Sequence, residues 1–176
     1  MSDELLRTGK MNSWLTEARI RLLAAGFVIV DDVPFKGRTF KTVARRTRFE
    51  IAKVGFHETF FVFTEFSDLE TEGLRHFSAD AFRCAKARKI IPLPCGWFEG
   101  VSCFAVAVTQ MVNEATQQSV REKAPSKHFA GWEIPVVYDQ GQGKLSYFER
   151  TPLWGAFYYS GLRKQIEKFL GKGAKN

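Results

Sequence analysis

The side chains in this sequence that could do chemistry are few and scattered. There are three cysteines (Cys84, Cys95, Cys103) and three histidines (His57, His76, His128). Zinc sites are built on ligand pairs held close by a short turn. No C-x-x-C pair or close histidine pair occurs, so no metal is expected. Cys95 lies in the irregular stretch Pro92-Leu93-Pro94-Cys95-Gly96-Trp97, where a thiol can be exposed. A nucleophilic role needs a base or a positive charge to lower its pKa, and the histidines can supply one only through the fold. The competing reading of Cys95 is a small buried hydrophobe, which is also the reading expected for Cys103 inside an apolar run.

Carboxylates give little more. Asp31 and Asp32 end one apolar run, while Glu50 and Lys53 lie on a later one. In metal-dependent nuclease chemistry an acid and a lysine two apart share a strand face and point into one cleft. A spacing of three puts them on opposite faces of a regular strand unless a bulge intervenes. The pair Gly141-x-Gly143 lacks a third glycine, and the residues after it read as a strand. A phosphate cradle needs a helix N-terminus there, so this is a hairpin turn, and no cofactor is expected.

The strongest functional hint is a basic run. Lys36 to Val54 holds seven basic residues against one acid, Glu50. Arg46 and Arg48 share a strand face, and Arg45 joins them if the chain turns locally. With Lys41, Arg45, Arg46 and Arg48 such a face could follow a phosphate backbone, extended by a helix carrying Arg83, Lys86 and Lys89. The alternative is a solvated strand face, or an edge whose charges discourage aggregation. The segment Phe148 to Gly155 joins a hairpin end to a helix start, a place where an anion can bind or where capping alone is at work.

The elements that must position these residues follow from periodicity. A helix is predicted over about Ser13 to Ala25, with Leu15, Ala18, Leu22 and Leu23 at helical spacing. Phe27 to Val30 is a short strand, and Asp31-Asp32, Pro34 and Gly37 mark a turn region. Thr39 to Val54 is read as one long strand or as two that turn near Arg45–Thr47. Thr59–Phe66 and Val101–Val108 are apolar on both faces, hence central strands covered on both sides. Asp68 to Gly73 is an acidic loop, and Ser78 caps a helix running to about Lys89. Gln110 to Lys123 is a helix. Phe129–Tyr138 and Lys144–Glu149 form a hairpin around Gly141-Gln142-Gly143. A last helix starts at Thr151-Pro152 and carries Trp154, Phe157, Tyr158, Leu162, Ile166, Phe169 and Leu170.

The predicted order is α-β-β-β-β-α-β-α-β-β-α. The fold class is α+β: one domain over residues 1–176, with loose termini at 1–11 and 171–176, and a mixed, mainly antiparallel sheet with about four helices packed on it.

Composition agrees. The chain has 176 residues, 45% hydrophobic and 26% charged, with 17 Phe residues expected mainly in a dense core. No apolar run reaches the length of a membrane span. The start Met-Ser-Asp-Glu is acidic where a signal peptide is basic. An odd, unevenly spaced set of cysteines argues for reduced thiols. A cytoplasmic protein without a membrane partner is therefore expected. The net charge of +7 favours acidic partners, nucleic acid or an acidic protein.

The leading expectation is a non-enzymatic binding or accessory protein acting through its surface, with a homodimer as one form. The first alternative is nucleic-acid binding through the Lys41, Arg45, Arg46 and Arg48 face. The second is an enzyme with a fold-assembled site around Cys95, His128, Glu133 or Glu149.

Overall fold

The computed structural model describes residues 2–51, 54–91, 99–129, 131–150 and 156–171. In chain order the elements are α1 (Ser2–Ala24), β1 (Val28–Phe35), β2 (Arg38–Glu50), β3 (Gly55–Phe66), α2 (Thr71–Ala87), β4 (Glu99–Thr109), α3 (Glu114–Glu122), β5 (Ser126–His128), β6 (Gly131–Asp139), β7 (Lys144–Ser146) and α4 (Ala156–Leu170). Seven strands form one mixed sheet in the order β1-β2-β3-β4-β6-β5, with β7 also on β6. The α+β class and the four helices agree with the sequence.

Periodicity misplaced some boundaries. Of the two readings of Thr39–Val54 the single long strand is the one formed, while 126–139 holds two strands, β5 and β6, where one was expected. Helix α1 begins at Ser2, well before the apolar stripe that marks it in sequence. Helix α2 begins at Thr71, so the expected acidic loop is shorter. Ser78 is no cap: it lies inside α2 on the buried face with Leu74, Phe77, Ala81 and Phe82. Tertiary packing of this face extends the helix through the Glu- and Thr-rich turn that read as a loop.

The β1–β2 turn shows why the chain reverses where it does. Phe35 pairs with Arg38, leaving a two-residue loop. Lys36 and Gly37 both have positive φ, at 48° and 76°, which is the conformation of the hairpin turn that matches strand twist. Strand β1 continues through Pro34, tolerated because β1 lies at the sheet edge.

Strands β1, β2 and β3 form an antiparallel meander, and β3, β4 and β6 run parallel. Two crossovers make this possible, one through α2 and one through α3. Residues on β3 alternate between two cores. Phe60 and Val62 pack with Phe77, Ala81, Phe82 and Val120 of α2 and α3. Phe61 and Phe63 pack with Leu22 of α1 and with Leu162, Ile166 and Phe169 of α4. The sheet is thus the middle of three layers, and both two-faced strands predicted from sequence sit at its centre.

Candidate functional site

The basic strand does not present its four candidates as one face. Lys41 pairs with Asp32 at 3.7 Å. Arg45 and Arg46 are consecutive on a regular strand and point to opposite sides of the sheet. Arg45 donates to the Arg88 carbonyl at 2.9 Å, at the end of α2. Arg46 donates to the Ala25 carbonyl at 3.2 Å, at the end of α1, and its guanidinium lies 4.4 Å from the centre of the Phe27 ring. Burial, followed by the nearby charge of Arg48, pulls the Arg46 pKa below its ordinary value. Arg48 is exposed.

The carboxylates of the nuclease-like proposal are also separated. Asp31 takes two bonds from Arg19, at 2.6 and 2.9 Å, and one from Thr42. Lys53 lies outside the described residues. Among the described residues no group of three or more His, Cys, Asp or Glu side chains is placed to hold a metal ion.

The histidine and acid candidates fare differently. The short strand β5 runs antiparallel to β6, with His128 opposite Gly131. Glu133 lies two residues further along β6 on the same face, so the two side chains form a diagonal cross-strand pair. His128 Nε2 donates to Glu133 Oε2 at 2.9 Å. The imidazole is also stacked on Phe82 of α2, with ring centres 4.3 Å apart. Glu133 is only 8% exposed.

Glu133 borders a cleft of about 150 Å³ between α2, α3 and β6, lined also by Leu74, Ser78, Val120, Lys123 and Pro135 among others. Ser78 stands one helical turn before Phe82, on the same side of α2. It is 1% exposed, and its hydroxyl has no hydrogen-bond partner among the described residues. Buried hydroxyls are nearly always bonded; among the described residues those of Ser78, Thr47 and Ser146 are not, and of these Ser78 lines this cleft. Sequence reasoning listed His128 and Glu133 but missed Ser78, whose signal (a serine in step with an apolar helical stripe) reads as a cap.

The geometry offers an acceptor at Glu133, a donor and acceptor at Ser78, and cations at the rim from Lys123 and Arg75. No bond joins Ser78 to His128, so the nucleophile–base contact of a hydrolytic triad is not formed.

Glu149 is elsewhere. It accepts from Arg121 Nε at 2.8 Å, and its backbone N–H donates to the Arg121 carbonyl, tying the chain after β7 to α3. Cys95 lies outside the described residues. Cys103 is fully buried opposite Glu133, and desolvation, then Cys84 and Glu133, push its thiol well above the ordinary range. Burial also raises Cys84. Neither thiol is activated.

A second buried acid was not foreseen. Glu58 is fully buried, and its Oε1 accepts from the N–H groups of Ile90 and Ile91 at 2.8 and 3.0 Å. It holds the chain leaving α2 against the sheet.

Compared with known proteins, the chain matches no family model, no curated protein and no solved structure.

Proposed function

We propose that this is a binding protein for a small polar molecule, held in the cleft between α2, α3 and β6. The observation that carries this reading is the unbonded, buried Ser78 hydroxyl in the same cleft as the nearly buried Glu133 carboxylate. Apolar walls with a few convergent polar groups are the usual make-up of a ligand site. At about 150 Å³ the cleft is below the roughly 300–1,000 Å³ of drug-sized sites, so the occupant has few heavy atoms. Its donor group meets Glu133. His128 holds that carboxylate in place, and Phe82 holds His128.

The nucleic-acid alternative has less support, because Lys41, Arg45 and Arg46 are each engaged within the chain. The homodimer rests on no contact within the chain. A reducing cytoplasm remains the compartment we favour, since Cys84 and Cys103 are free thiols.

The test is thermal unfolding of the full chain against a panel of amino acids, small amines, hydroxy acids and polyols. A ligand of the folded state raises Tm by mass action. We expect at least one such compound to do so, and Glu133→Gln and Ser78→Ala to abolish its effect while leaving the far-UV spectrum unchanged. If no compound raises Tm, or if the rise survives both substitutions, the reading is wrong.

A further inference from the structure

The charges lining the cleft between α2, α3 and β6 are sorted by burial. Among the described residues three ionisable side chains line it: Glu133, Lys123 and Arg75. Glu133 is 8% exposed, and its one ion-pair partner among the described residues is His128, a cation only when protonated. Lys123 and Arg75 are exposed. Arg75 is already paired with Glu72 at 3.2 Å, whereas Lys123 makes no ion pair with a described residue. The cleft is therefore acidic where it is buried and basic where it opens. Beside the acid stands the unbonded Ser78 hydroxyl, which can accept as well as donate.

We propose that this cleft takes a small zwitterionic amino acid, its ammonium group on Glu133 and Ser78 and its carboxylate on Lys123. The inference rests on the reading of the cleft as a binding site and names the class of its occupant. A buried carboxylate is costly unless an opposite charge matches it, which favours an ammonium over a hydroxyl as the group that meets Glu133. An ammonium also carries three N–H donors, so one head group can serve the carboxylate and the Ser78 hydroxyl together. A simple amine leaves Lys123 unmatched and is repelled by it on entry. A simple carboxylate meets Glu133, a like charge, at the buried end. A molecule with both charges, cation inward, satisfies both ends. Size narrows the class further. At roughly 30 Å³ for each water-sized group, a cleft of about 150 Å³ holds about five non-hydrogen atoms, the scale of glycine, alanine or β-alanine. Leu74, Val120 and Pro135 on the lining suit the carbon between the two charged groups.

The experiment is thermal unfolding of the full chain with glycine, alanine and β-alanine, and with ethylamine, propionate and betaine at the same concentrations. Ethylamine carries only the cation, propionate only the anion, and betaine both charges without an N–H donor. At least one of the three amino acids is expected to raise Tm by mass action, and the three controls to leave it unchanged. In Lys123→Met, measured against its own unliganded Tm, the apparent affinity for that amino acid should fall about tenfold, with the far-UV spectrum unchanged. A control that acts as strongly as the amino acids, or full affinity in Lys123→Met, overturns the zwitterion while the cleft remains a binding site. The same holds if only an amine, a hydroxy acid or a polyol acts and does so through Ser78 and Glu133. If no compound of any class raises Tm, the zwitterion and the binding site fail together.

Discussion

Arg45 and Arg46, neighbours in β2, each close a different helix. One guanidinium reaches the Arg88 carbonyl at the end of α2 and the other the Ala25 carbonyl at the end of α1. The last carbonyls of a helix have no partner within it and carry the negative end of its dipole. A cation on each face of the sheet therefore satisfies one helix on each side. Helix α4 is closed similarly from α1: Arg21 Nε donates to the Phe169 carbonyl at 2.9 Å and Trp14 Nε1 to that of Leu170 at 3.0 Å. Much of the basic run that resembles a phosphate-binding face is spent on joining helices to the sheet.

This division of labour predicts unequal effects along β2. Arg46→Ala removes a hydrogen bond and the contact with Phe27, and should destabilise the fold by about 1–3 kcal/mol. Arg45→Ala should cost about 1 kcal/mol. Arg48→Ala should stay within about 0.5 kcal/mol of the parent. Urea denaturation measures all three, and an Arg48 effect equal to that of Arg46 would contradict the assignment.

Acid sensitivity should follow Asp31. Bonds from Arg19 and then Thr42 lower its pKa from 3.8 to about 2. A carboxylate with a depressed folded pKa adds stability that is present above the unfolded value and lost as pH falls through the folded one. Side-chain exposures of 32% for Arg19 and 49% for Asp31 screen the pair, so its worth is about 1 kcal/mol or less. Asp31→Asn should therefore be less stable than the parent by that amount at neutral pH, and the gap should close between pH 3.8 and about 2.

Gly131 leaves room for the Phe82 ring. A Cβ there would come within 2.6 Å of Phe82 Cζ, the ring on which His128 is stacked. Gly131→Ala should destabilise the fold by about 1–3 kcal/mol through overpacking and shift the His128 ring proton resonances as the stack is disturbed. Unchanged resonances with full stability would show that Phe82 is free to move.

Glu58 separates acceptor from charge. Glu58→Gln keeps an oxygen for the Ile90 and Ile91 N–H groups and should cost about 1 kcal/mol or less. Glu58→Ala leaves both donors bare and should cost about 2–4 kcal/mol. Equal losses in denaturant midpoint for the two variants would mean that the backbone anchor is not what Glu58 contributes.

Features whose cause is local could be read from the chain. The two-sided apolar runs of β3 and β4 announce central strands, because every residue of a covered strand meets a core. The hairpin at residues 141–143 follows from glycines, one of which (Gly143) takes positive φ, whereas the turn region read over 31–37 narrows to Lys36-Gly37 because β1 runs on to Phe35. Strand alternation separates Arg46 and Arg48 from Arg45 on any regular strand. The sequence also supplied His128 and Glu133 as separate candidates.

Their meeting was decided by tertiary structure. A three-residue strand with no apolar alternation is invisible to periodicity, yet β5 sets the register that puts His128 diagonal to Glu133. Ser78 reads as a cap until the packed face of α2 shows a helix already under way. The arginines read as free charge until the ends of α1 and α2 come within reach of β2. In each case the partner lies across a sheet or a helix packing contact, and a single strand's pattern carries no information about what faces it from another element.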